Sequence, residues 1–153
     1  MQKRRRRKIG DVYAIPLPSG KFAFGRTFAD GDIGIYEHIG NNLTDLPSKE
    51  NYQFIVGVYE DVLKSGNWLF VENRPFASEE DAWPPPAFIC DSLSGEFSLY
   101  HKGVITPSTK KQCWGLERAA VWDAEHVVDR IMGIDKWHKD DIDLWDEKGS
   151  RPV

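Results

Sequence analysis

Residues 12–28, VYAIPLPSGKFAFGRTF, constrain the fold of this chain more than any other segment. Two runs of β-branched and aromatic residues flank Pro18-Ser19-Gly20, and Gly20 supplies the positive φ that a tight turn between twisted strands requires. A β-hairpin is the expected structure. Pro16 has no N–H to offer a central ladder, so its part of the first strand is expected at an edge or a bulge. Gly10-Asp11 opens the hairpin, Asp30-Gly31 marks the next turn, and IGIYEH at 33–38 adds a third strand to make a meander.

The remaining segments extend this strand-rich pattern. Residues 40–51, GNNLTDLPSKEN, form a polar loop. YQFIVGVYEDV and WLFVENRPF then read as two further strands, with a helical turn over residues 61–64 between them. Three consecutive prolines make ASEEDAWPPP a rigid, irregular surface connection ending at Pro86. AFICDSL and EFSLYHK form a second hairpin candidate around Ser94-Gly95, followed by a polar loop at TPSTKKQ. The one clear helix spans about 123–133: Asp123 is its N-cap, Gly133 its C′ residue, and Ala124, Val127, Val128, Ile131 and Met132 share one face. The fold class is therefore α+β, strand-rich, either a twisted antiparallel sheet or an SH3-like partial barrel with this helix at its C-terminal end. Three regions are expected: a flexible basic lead-in at 1–8, a globular domain at 9–133 and an acidic aromatic arm at 134–153.

Charge separates the lead-in from the body. Residues 3–8 are all Lys or Arg; setting them aside leaves 14 basic against 24 acidic side chains, a net charge of −10 from Ile9 onward. Such a body repels polyphosphate and attracts a basic protein surface. No apolar run approaches the ~18 residues of a membrane span, and no apolar stretch follows the N-terminal charges as in a signal peptide, so a cytoplasmic protein without a membrane partner is expected. In that compartment Cys90 and Cys113 are expected as free, buried thiols, and the Asn42-Leu43-Thr44 sequon is accidental.

The search for chemistry returns little. His38, His101, His126 and His138 lack metal-ligand spacing, and neither cysteine has a neighbouring ligand candidate, so neither a metal nor a cofactor is expected. P-loop, GxGxxG and GxSxG patterns are absent, and a Cys113–His126 pair is weaker than the reading of Cys113 as a core thiol. Enzymatic activity is not expected. Asp140, Asp141, Asp143, Asp146 and Glu147 lack the glycine and terminal glutamate of a calcium loop. Mixed with Trp137 and Trp145, this acidic segment has instead the composition of a protein-binding patch for a basic partner. Trp83, in the proline-rich connection, joins Trp137, Asp140, Asp141, Asp143, Trp145 and Asp146 as a candidate contact because it is expected to be partly exposed. The basic run 3–8 has no interleaved aromatic residue, which favours nonspecific charge over specific nucleic-acid recognition.

Four segments in order, KIGDVYAIPLPSGKFAFGR at 8–26, GVYEDVLKSGNW at 57–68, CDSLSGEFSLY at 90–100 and CWGLERAAVWDAEHVVDRI at 113–131, resemble the immunity protein 26 family of bacterial polymorphic toxin systems. The resemblance implies a bacterial cytosolic protein, encoded beside a toxin, that binds and neutralises the toxin domain. It also implies a strand-rich fold without catalytic residues, and a basic lead-in before Gly10-Asp11 belongs to that picture. A nucleic-acid-binding SH3-like module using the basic arm and the first hairpin is the alternative. An endoribonuclease with Arg26 in its cleft is the third and weakest reading, for want of a general base beside it.

Overall fold

The computed structural model describes residues 6–91 and 93–134. β1 (Asp11–Pro16) and β2 (Phe22–Thr27) form the expected hairpin, in register from Val12 opposite Arg26 to Pro16 opposite Phe22. β3 (Asp32–Tyr36) follows a 3-10 turn at Ala29–Gly31. After the loop come β4 (Tyr52–Val58), the short helix α1 (Glu60–Lys64) and β5 (Leu69–Asn73). These strands pair antiparallel in the order β5-β1-β2-β3-β4. Pro16 sits where expected: pairing with β5 stops at Ala14, after a bulge between Val12 and Tyr13, so the missing N–H breaks no ladder.

Strand alternation sorts the apolar residues onto two faces. Tyr13, Ile15, Ile33, Ile35, Phe54, Val56 and Val58 lie on one face, under Val62, Leu63, Trp68, Trp122 and Val127. Val12, Ala14, Phe24 and Tyr36 lie on the other, packed by Phe22, Leu46, Tyr52 and Val71. β1 is thus buried on both sides from Asp11 to Ile15, which explains its nearly unbroken apolar sequence.

A second, three-stranded sheet comprises β6 (Ala87–Cys90), β7 (Phe97–His101) and β8 (Val104–Ser108). β6 and β7 are the expected second hairpin, around a small core of Phe88 and Cys113. β8 corrects the expected loop at 106–112. Lys102 and Gly103 turn the chain with φ of 53° and 78°, the mirror-image geometry that hairpins prefer. Pro107 is tolerated because, among the described residues, β8 pairs only with β7. Both cysteines are free thiols, Cys113 buried and Cys90 half-buried.

The two sheets are joined late in the chain. Phe88 N–H donates to Glu117 O (2.9 Å) and Ala119 N–H to Phe88 O (2.8 Å), so this stretch first borders β6. It then becomes β9 (Val121–Trp122), which lies parallel to β4 with Val121 opposite Gly57. The larger sheet is therefore mixed rather than wholly antiparallel. The helix α2 (Ala124–Ile131) follows Asp123 as expected; it buries Val127 and packs Ala124, Val128 and Ile131, whereas Met132, beyond its last turn, is exposed. The segment before β6 also departs from expectation, containing a 3-10 turn at Glu80–Ala82 and burying Ala82 and Pro84. Both sheets stay open; the described residues form no closed barrel.

Candidate functional site

Gly10-Asp11 proves to be a structural clasp. Gly10, at φ +91°, lies so close to the next chain that a Cβ would stand 2.6 Å from Arg74 O, and its own carbonyl accepts a hydrogen bond from Arg74 N–H (2.7 Å). The Asp11 carboxylate is fully buried and accepts from Lys8 N–H (2.9 Å) and from Asn73 Nδ2 (2.9 Å). Thr27 Oγ1 donates to Lys8 O (2.8 Å) from the β2 side. The end of the lead-in is thereby fastened to β2 and β5.

Arg26 is likewise committed to the fold. Its guanidinium donates to Arg74 O through Nε (2.9 Å) and Nη2 (2.6 Å), to Pro75 O (2.8 Å) and to Tyr52 Oη (3.1 Å), and stacks 3.6 Å from the Phe76 ring centroid. Glu50 accepts from Arg26, Arg74 and the Tyr36 hydroxyl, and burial together with that last bond holds the Tyr36 phenol well above its ordinary range. These donors are already satisfied by the loop after β5 together with Tyr52 and Glu50, so the third reading, with Arg26 as a catalytic cation, loses its motivation.

A cleft of about 720 Å³ lies between the two sheets. One wall is β4 along its whole length, another is residues 84–87, and a third is residues 115–121. Asp30, Asp32 and Glu117 bring three carboxylates to it, with Tyr100 from β7 and Arg130 from α2. Tyr100 donates its hydroxyl proton to Asp30, and Arg130 Nη2 donates to Glu117 while its guanidinium lies 4.0 Å from the Phe54 ring centroid. Asp32 stands opposite Gly57 in the β3–β4 register, and a Cβ on Gly57 would come 3.3 Å from Asp32 Oδ1 and 3.0 Å from Ala120 O. The bare glycine leaves room for both. Burial first, then the charges of Asp30 and Glu117, push the Asp32 carboxyl up to about 6.

Trp83 is half-buried, directly before the prolines of the cleft wall. Trp137, Asp140, Asp141, Asp143, Trp145 and Asp146 lie outside the described residues. Asp30, Asp32 and Glu117 were not singled out from sequence. Asp30-Gly31 reads locally as a turn signal, and Glu117 is 85 positions from Asp32, so no local pattern links them. Among the described residues no trio of His, Cys, Asp or Glu is arranged to hold a metal ion, and no helix is long and apolar enough to cross a membrane.

A family model described as Immunity protein 26 matches residues 8–99, from the clasp into β7. The match leaves out the CWGLERAAVWDAEHVVDRI stretch, where the sequence resemblance had been extended. No curated protein and no solved structure matches the chain.

Proposed function

The chain belongs to the immunity protein 26 family, and from that premise we propose that it binds a cognate bacterial toxin domain in the cytoplasm and neutralises it by occlusion, without catalysis of its own. The family match over most of β1 to β7 is the observation that carries this reading. The net charge of −10 from Ile9 onward supports a partner with a basic surface, because opposite fields accelerate encounter while a few desolvated aromatic contacts supply affinity. Trp83 and the arm containing Trp137, Asp140, Asp141, Asp143, Trp145 and Asp146 are proposed contacts of that kind.

Co-expression with the product of the adjacent gene tests the reading. Rescue of growth and a complex on gel filtration are expected; continued toxicity together with no complex would overturn it. A nucleic-acid-binding role for the exposed residues 6–8 is separable. Such binding would fall steeply with salt and vanish on removing residues 1–8.

A further inference from the structure

β4 is only partly covered on its outer side. β9 pairs with Gly57 and Val58 and goes no further, and Tyr59 N–H donates to Trp122 O (3.3 Å). Since backbone groups alternate in direction along a strand, Tyr59 and Gly57 face β9, and Ile55 presents its N–H and C=O the same way, beyond the last β9 pair. No backbone partner takes them there among the described residues. That open edge runs along the cleft, and residues 84–86 stand across from it. An unpaired strand edge inside a recess is a template for an added strand.

Carboxylates outnumber cations at this edge, with Asp30, Asp32 and Glu117 against Arg118 and Arg130. Asp32 reaches over Gly57, Asp30 is in the turn before β3, and Glu117 enters from the strap that joins the sheets. Both cations are engaged by the fold: Arg130 is bonded to Glu117 and stacked on Phe54, and Arg118 lies over the Phe88 ring, 5.2 Å from its centroid. We propose that the cleft receives an extended basic segment of the protein partner, its main chain adding to the open edge of β4 at Ile55 and an arginine or lysine side chain seated against Asp32 and Asp30. The apolar wall at residues 84–86 suits the aliphatic stem of such a side chain. This inference rests on the toxin-binding reading and specifies where and by what chemistry that partner is held.

The test uses the full chain and a synthetic Val-Arg-Val-Arg-Val-Arg peptide as probe, followed by backbone NMR and titration calorimetry, with Val-Gln-Val-Gln-Val-Gln as the neutral control. The basic peptide is expected to shift the amides of residues 55–57 and 32. Asp32→Asn is expected to weaken its binding about tenfold, the loss of one desolvated charge pair. Ile55→Pro, which removes the outward N–H at a position where it serves no described ladder, is expected to weaken it similarly, with the fold intact by circular dichroism. Glu96→Gln, in the exposed β6–β7 turn, should change it less than about twofold. Equal losses for Asp32→Asn and Glu96→Gln, or shifts confined to other regions, would overturn the proposal as general charge attraction. The same shifts on concentrating the chain alone would assign the cleft to a second copy and overturn it too. Neutralisation of the adjacent toxin by Asp32→Asn and Ile55→Pro as well as by the unaltered chain would reject the cleft and leave the toxin-binding reading standing. Failure of the unaltered chain to neutralise would reject that reading, with the peptide titration still deciding the cleft.

Discussion

Asp32 and Arg26 are both charged residues on the strands of the larger sheet, yet their environments are opposite. Arg26 has carbonyls, a hydroxyl and an aromatic face for partners, so replacing it with lysine removes the planar fork that serves Arg74 O, Pro75 O and Tyr52 together. Arg26→Lys is expected to destabilise the fold by about 2–3 kcal/mol, read from urea unfolding monitored by tryptophan fluorescence. Asp32 is placed among like charges, with Asp30 and Glu117 opposing its ionisation and Arg130 engaged by Glu117. Its folded pKa of about 6 exceeds its ordinary value of 3.8, so the native state holds the proton more tightly than the unfolded chain. This residue's contribution to stability therefore declines as pH rises from about 4 to about 6 and stays low above that window. Asp32→Asn should raise stability at pH 7.5 by about 1–2 kcal/mol after allowance for the solvent that reaches the carboxylate, with the gain shrinking toward pH 4. A gain that is the same at both pH values would refute that account. A carboxylate kept where it weakens the free protein fits a position used for binding.

Elements were legible in the sequence wherever local chemistry was decisive. The hairpin around Pro18-Ser19-Gly20, the second hairpin around Ser94-Gly95 and the helix that follows Asp123 are set by turn glycines, strand alternation and helical period. β8 and β9 were not legible, for two reasons. Pro107 is a breaker in a central strand and harmless in an edge strand, and only the assembled sheet shows which it is. β9 has two residues, too few for any period, and exists because β4 offers an edge to pair with. Trp122 makes that short strand matter: it is buried against the same face as Val127 of α2, and Arg130 stacks 5.4 Å from its ring. Trp122→Ala should cost about 3–5 kcal/mol and loosen β9 and α2 first, so that amides of residues 121–131 lose hydrogen-exchange protection before those of β1. Simultaneous loss in both places would show that the strap and the meander unfold as one unit.

On the scale of the whole molecule, the charge pattern separates fastening from recognition. The lead-in ends in the clasp of Lys8, Gly10 and Asp11, while the acidic body carries the field that a basic partner would meet. Removing residues 1–7 is therefore expected to leave toxin neutralisation intact, and raising salt from 0.05 to 0.5 M should slow association with the toxin at least tenfold while changing dissociation little. Loss of neutralisation on truncation, measured by growth rescue, would return the basic run to the binding surface. The sequence alone determined the meander, the helix and its bounds, the family and the sign of the net charge, because turn chemistry, hydrophobic period and net charge are local or additive properties. The tertiary structure decided the rest. It turned Gly10-Asp11 into a clasp, spent the donors of Arg26 on the loop after β5, Tyr52 and Glu50, and gathered Asp30, Asp32 and Glu117 beside an edge of β4 that β9 leaves open among the described residues. Residues far apart in the chain acquire a common environment only when sheets pair and loops close over them, and no pattern in one dimension carries that information.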